Sequence, residues 1–126
     1  VAAASEHVDG LLDAAGLDLA GVATWVGVGG TVTSLSALAQ GLATYDRRLV
    51  HGSVLTRAQL AGLADRLLAM PVAEVAGLPT MVPGRADVIC AGALVCATVA
   101  ARLPVDLVVS EADILDGIVQ GLAEAG

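Results

Sequence analysis

The stretch TWVGVGGTVTS, residues 24–34, sets Gly27, Gly29, Gly30 and Thr31 between an apolar run and a helical pattern. Glycine carries no Cβ, so backbone N–H groups in such a turn can approach an anion or a nucleotide closely, and a helix starting there aims its unpaired amides the same way. Phosphate binding is the chemistry this offers. A tight strand-to-helix turn with no ligand has the same sequence. The basic residues bear on the choice: all six are Arg, against 13 acidic residues, for a net charge of −7. That balance lacks the clustered positive charge that non-specific nucleic-acid binding or an anionic membrane demands. A guanidinium still matches phosphate oxygens two at a time, so a few arginines could serve an anionic ligand inside an acidic shell. GC-rich coding would equally account for the absence of Lys.

Other reactive side chains are few. Cys90 and Cys96 are six apart, off a common helical face, and read as small buried hydrophobes in a reducing compartment rather than as a metal pair. His51 precedes Gly52 with no nucleophile motif nearby, which favours a structural side chain over a general base. Ser110 and Glu111 follow an apolar run, where open α/β sheets gather their active sites, although Ser110 also suits a helix N-cap.

The elements that must position these residues can be read from pattern. At 126 residues, 56% hydrophobic and with mean hydropathy +0.81, the chain suffices for one domain with a substantial core. There is no Phe, so Leu, Val and Ala must fill that core, and base-stacking platforms are disfavoured. Val8, Leu11, Leu12 and Ala15 have helical spacing that stops at Gly16. Residues 22–28 read as a strand covered on both faces, followed by the glycine turn and a helix over 33–42. Residues 49–55 show no clear element. Thr56 and Gln59 have capping-box spacing ahead of an amphipathic helix with Leu60, Leu63, Leu67 and Leu68. A short helix is expected between Pro71 and Gly77, then a turn-rich LPTMVPG segment and a long apolar helix from Arg85 to about Arg102. Its apolar stretch, residues 88–101, is too short for a bilayer, which takes about 20 residues. No basic leader region is visible at the N-terminus. VDLVV, residues 105–109, reads as a second buried parallel strand, and Ile114, Leu115, Ile118, Val119 and Leu122 as a last helix. The class is α/β, but two strands are too few to centre a domain.

Three further stretches follow GVGGT in order: YDRRLVHGSVLT at 45–56, PGRADVICAGALV at 83–95 and VDLVVSEADILDGIVQGL at 105–122. Together they resemble the C-terminal part of the second domain of the Ppx/GppA family, the exopolyphosphatases and guanosine pentaphosphate phosphohydrolases of the actin-like and sugar-kinase-like superfamily. The resemblance implies a helix-rich C-terminal portion of a ribonuclease-H-like domain with at least two parallel strands. It implies a phosphohydrolase that cleaves the terminal phosphoanhydride of inorganic polyphosphate or pppGpp between two such domains. Both Asp-Gly-type phosphate loops and the catalytic glutamate of the family lie upstream of a region like this one. No catalytic residue is therefore expected in residues 1–126, whose opening helix corresponds to the connector into the glycine turn.

By that resemblance Gly27, Gly29, Gly30 and Thr31 lie on the phosphate side of the cleft, and Arg85 could hold substrate phosphate; pairing with Asp87 or another carboxylate is its alternative. Asp87 suits the first turn of its helix as a structural residue. Magnesium is the implied metal, with ligands outside this chain. A cytoplasmic homodimer or self-associating chain is also implied, with neither nucleic acid nor membrane as partner. The competing readings are a non-catalytic dimerisation module and the terminal part of a sugar or acetate kinase, which the HG and RADVI stretches oppose.

Overall fold

The computed structural model describes residues 2–112 and 114–125, in the order α1 (Ala2–Ala14), β1 (Trp25–Gly27), α2 (Gly30–Ala39), α3 (Arg47–Val50), β2 (Val54–Leu55), α4 (Arg57–Ala69), α5 (Val72–Ala76), α6 (Ala86–Ala100), β3 (Leu107–Val109) and α7 (Ile114–Ala125). The helices start and stop where local chemistry dictates. Gly16, at φ 65°, takes the left-handed conformation just beyond α1. Thr56 and Gln59 form the full capping box on α4, each side chain satisfying the other residue's backbone N–H. Helix α2 begins three residues before the expected position and ends three before it, because Gly29 (φ 94°) already turns the chain into the helix and Gly41 (φ 67°) turns it out.

The sheet has the order β1-β3-β2. Strands β1 and β3 are parallel, in the register Trp25–Leu107, Val26–Val108, Gly27–Val109. Both are shorter than their apolar runs, since pairing reaches only three residues. Upstream of β1 the chain is diverted by a single 3-10 turn, Leu19–Gly21, capped by the Asp18 side chain. The pattern of residues 49–55 concealed a short antiparallel partner: β2 pairs with β3 through Val54–Val108 and Leu55–Leu107. The architecture is thus a helix-rich α/β fold with a mixed sheet containing a parallel pair.

Alternation across this register separates two faces. Leu107, Leu55 and Val109 are buried against the helices, with Trp25 packed beside them. Val26, Val108 and Val54 form a row on the other face, where Val26 and Val54 are each 53% exposed. The expectation of strands covered on both faces therefore holds for one face only; among the described residues nothing buries Val26.

On the covered side Leu35 of α2, Leu60 and Leu67 of α4 and Ile89 of α6 make a closely packed aliphatic centre. Helix α1 is tied to the end of α6 by Arg102, which reaches Asp9 at 3.1 Å and also Asp13. The approach of α2 to α6 depends on Gly92: a Cβ there would overlap the Thr31 side chain, whose Cγ2 and Oγ1 lie over it. Thr is β-branched and stiff at χ1 within a helix, so it has little room to yield. Gly92→Ala is expected to cost about 1–3 kcal/mol through overpacking, read as a lower midpoint in urea unfolding. An unchanged midpoint would show that the two helices are free to separate.

Candidate functional site

The C-terminal ends of β1 and β3 lead side by side into one cleft. The Ser110 N–H donates to the Gly27 carbonyl at 2.9 Å, which continues the strand pairing by one residue and brings Ser110 and Glu111 next to the glycine turn. Gly29, Gly30, Arg85, Tyr45, Ser110 and Glu111 are among the residues that line this space of about 480 Å³. Its position fits the general placement of ligands beyond the carboxyl ends of parallel strands.

Arg85 stands immediately before α6 and reaches across to the start of α2. Its Nη1 donates to Ser34 Oγ at 2.8 Å and to the Gly30 carbonyl at 3.3 Å. The guanidinium lies so close to Gly30 that a Cβ there would overlap it. Both acceptors are neutral, and both bonds use the same nitrogen. The other donors of the guanidinium have no protein acceptor among the described residues. The alternative of an Arg85–Asp87 pair is not what the chain forms.

The five residues singled out by sequence thus divide. Gly29, Gly30 and Arg85 line the cleft. Gly27 and Thr31 face packed neighbours instead. A Cβ on Gly27 would stand 2.9 Å from both Leu107 Cδ1 and Val32 Cγ1, and Thr31 lies on Gly92. Their small or compact side chains let β1 and α2 sit close to what covers them.

The remaining walls come from segments whose role the sequence did not show. Asp46 caps α3 by accepting from the Arg48 N–H at 2.9 Å, and the Arg48 side chain holds the Asp46 carboxyl below its ordinary range. That cap fixes the turn next to Tyr45. Ser36 and Ser53 share a 2.6 Å hydroxyl bond, and Gln40 donates to Ser36 and to the Leu49 carbonyl, so α2 also anchors the segment that carries β2. His51 accepts from the Glu111 N–H through Nδ1 at 3.0 Å, a structural task consistent with its sequence reading. Ser110 Oγ accepts from the Ala112 N–H at 3.1 Å, ahead of α7 rather than at its first turn; position 113, where a cap would stand, is outside the described residues. Thr80, also on the cleft, has φ 66°, a strained conformation for a β-branched residue. Cys90 and Cys96 are both free and partly buried among the core helices, and burial pushes the Cys96 thiol up. Among the described residues no helix is long and apolar enough to cross a membrane.

Gly30→Ala is expected to push the Arg85 guanidinium off the α2 terminus while leaving the fold intact, because the clashing group is the movable end of a long side chain. The change should alter the Arg85 Nε–Hε resonance while shifting unfolding by less than about 0.5 kcal/mol. A large stability loss with Arg85 unmoved would mean that the guanidinium cannot leave.

Comparison with known proteins agrees with the resemblance drawn from sequence. The sequence model of the Ppx/GppA phosphatase family matches residues 1–123. Exopolyphosphatase 2 of Mycobacterium tuberculosis is 48% identical over 105 residues, 79% of this chain and 33% of that protein. The chain therefore spans about a third of the length of the curated relatives it matches. A crystal structure of an exopolyphosphatase-like protein superposes with a TM-score of 0.88 at 36% identity, over 97% of this chain and 42% of the other. The Aquifex aeolicus Ppx/GppA family member gives 0.85 at 30% identity, over 98% of this chain and 40% of its own. With the family model matched over residues 1–123 and the fold shared along nearly the whole length, the chain belongs to the Ppx/GppA phosphatase family.

Proposed function

We propose that this chain forms one wall of a cleft in which a longer protein cleaves the terminal phosphoanhydride of inorganic polyphosphate or pppGpp, with polyphosphate favoured by the exopolyphosphatase named above. The observation that carries the reading is Arg85: its guanidinium is pinned by one nitrogen beside the amide end of α2, with further donors available in the cleft. Those amides and the guanidinium are fixed before any ligand arrives, so they stabilise phosphate charge without reorganising. Family membership favours a phosphatase over the sugar and acetate kinases of the wider superfamily.

In phosphoryl transfer the protein contributes mainly position and charge. Here Arg85 and the α2 terminus would bind and orient phosphate, while the carboxylate that orients water is expected outside this chain. Magnesium would neutralise charge on the phosphates. Among the described residues no group of three or more His, Cys, Asp or Glu gathers to hold a metal, so the ligands of a protein-held ion are also expected elsewhere. The cytoplasm is the proposed compartment, in keeping with the two free, partly buried cysteines.

Arg85→Ala in the complete protein should weaken phosphate binding by about 1.5–3 kcal/mol, the worth of a charge-assisted hydrogen bond, and Arg85→Lys should restore only part. Steady-state kinetics on polyphosphate would measure this; a folded, kinetically normal alanine variant would return Arg85 to a structural role. The isolated chain should release no phosphate above background.

A second reading, self-association as a dimerisation module, is favoured by the apolar surface left open. Val26 and Val54 lie on the uncovered sheet face beside the unpaired edge of β1, and Ile118, Val119 and Leu122 of α7 are at least half exposed. Such surfaces attract other chains. Light scattering should show a dimer or larger species that Val26→Thr with Val54→Thr weakens, and a strict monomer at high concentration would refute it.

A further inference from the structure

Between α5 and α6 the chain makes the same turn twice. In Leu78–Met81 the Met81 N–H donates to the Leu78 carbonyl at 3.2 Å, and in Val82–Arg85 the Arg85 N–H donates to the Val82 carbonyl at 3.1 Å. Each turn has a proline in its second place, Pro79 or Pro83, and a residue of positive φ in its third, 66° at Thr80 and 83° at Gly84. That is the pattern of a type II turn, whose third place suits glycine because L side chains rarely adopt the φ it requires. At Gly84 a Cβ would meet no atom within 4 Å, so conformation rather than space is what favours glycine there. Thr80 has the same place in the other turn, and as a β-branched residue it is strained in it.

The core does not account for that threonine. Among the described residues the core cluster does not include Thr80, which is half-buried, and its hydroxyl donates to the adjoining Pro79 carbonyl. A glycine would close this turn without strain, as one does four residues later. What a glycine lacks is the side chain, and Thr80 lines the cleft together with Val82 and Arg85 of the same segment.

We propose that Thr80 is a ligand-contacting residue whose hydroxyl donates to an oxygen of the bound phosphate chain, from the same wall of the cleft as Arg85. A hydroxyl rotates about its C–O bond, so the hydrogen given to the neutral Pro79 carbonyl can turn to a phosphate oxygen, which as a charged acceptor makes the stronger bond. The paired turns then present two donors of different kind. The first carries a compact neutral hydroxyl, and the second leads into a long charged guanidinium. The inference rests on the phosphate-cleft reading given above.

Calorimetry on the chain with tripolyphosphate as the probe, paired with urea unfolding, tests this. Thr80→Gly should weaken tripolyphosphate binding about fivefold. It should nevertheless raise the urea midpoint, because relief of a left-handed β-branched residue outweighs the freedom that glycine adds to the unfolded chain. A residue kept only for structure would move both readings the same way. Thr80→Ser, which keeps the hydroxyl, should hold affinity within about twofold, whereas Thr80→Val, which keeps the branched shape alone, should lose as much as the glycine variant. If the valine variant does not fold, the contrast between glycine and serine decides. Unchanged binding in Thr80→Gly, or an equal loss in Thr80→Ser, overturns the proposal, and leaves the phosphate-cleft reading in place where Arg85→Ala still weakens binding. A lower midpoint in Thr80→Gly also overturns it, since the strain it explains would be absent. Tripolyphosphate binding that the unaltered chain does not show, or that Arg85→Ala leaves unchanged, overturns the phosphate-cleft reading itself and the assignment of Thr80 with it.

Discussion

The parallel register of β1 and β3 is the constraint on which the rest of the site depends. Because Trp25, Val26 and Gly27 pair in order with Leu107, Val108 and Val109, the two strands end at the same level and release their chains into the same space. One continues into Gly29 and Gly30, the other into Ser110 and Glu111. Had the pairing been antiparallel, these loops would lie at opposite ends of the sheet. Strand β2 adds to the same convergence from the other side of β3: the Gly52 N–H donates to the Val109 carbonyl at 2.7 Å, so His51 stands where it can hold Glu111. Residues from three separate parts of the sequence thereby meet, although each part is more than twenty positions from the next.

Missing side-chain volume does the equivalent work between the helices. Gly92 lets Thr31 rest directly on α6, and Gly27 lets Val32 and Leu107 close over β1. Gly30 leaves the room that the Arg85 guanidinium occupies. A glycine-rich turn is thus serving two ends at once. Gly29, at φ 94°, and Gly30 open the backbone toward the cleft, whereas Gly27 and the glycine of α6 serve interior packing. From sequence these uses look alike, because a missing Cβ does not say which neighbour exploits its absence.

That distinction marks how far the sequence was legible. Elements governed by local rules could be read directly: α1 by its spacing and Gly16, α4 by Thr56 and Gln59, α6 by its apolar run, and β1, turn and α2 as a unit. The order of motifs sufficed to expect the family fold. What could not be read depended on contacts between distant segments. Val54 and Leu55 are a strand only because β3 lies beside them; in isolation HGSVL has neither the length nor the alternation of one. Thr80 at φ 66° breaks a local preference, so no local signal could have announced it. Arg85 and Asp87 are two residues apart and invite pairing on paper. The start of α2, which outcompetes Asp87, is some fifty positions away.

The same competition explains why a chain with an excess of acid can still present an arginine to an anion. Arg48 is engaged with Asp46, Arg57 with Asp106, and Arg102 with Asp9 and Asp13, all in ion pairs at the surface. Exposed pairs of this kind contribute at most about 1 kcal/mol each, but they determine where charge is already compensated. Arg85 differs in being held by a hydroxyl and a carbonyl. Neutral acceptors fix a guanidinium in place without cancelling its charge, whereas a carboxylate in their position would both fix and neutralise it. Net charge describes the long-range field, which here is repulsive to anions. Among the described residues Arg47, Arg66 and Arg85 have no carboxylate partner, and of these three it is Arg85 that the buried Ser34 and the bare backbone at Gly30 hold at the cleft.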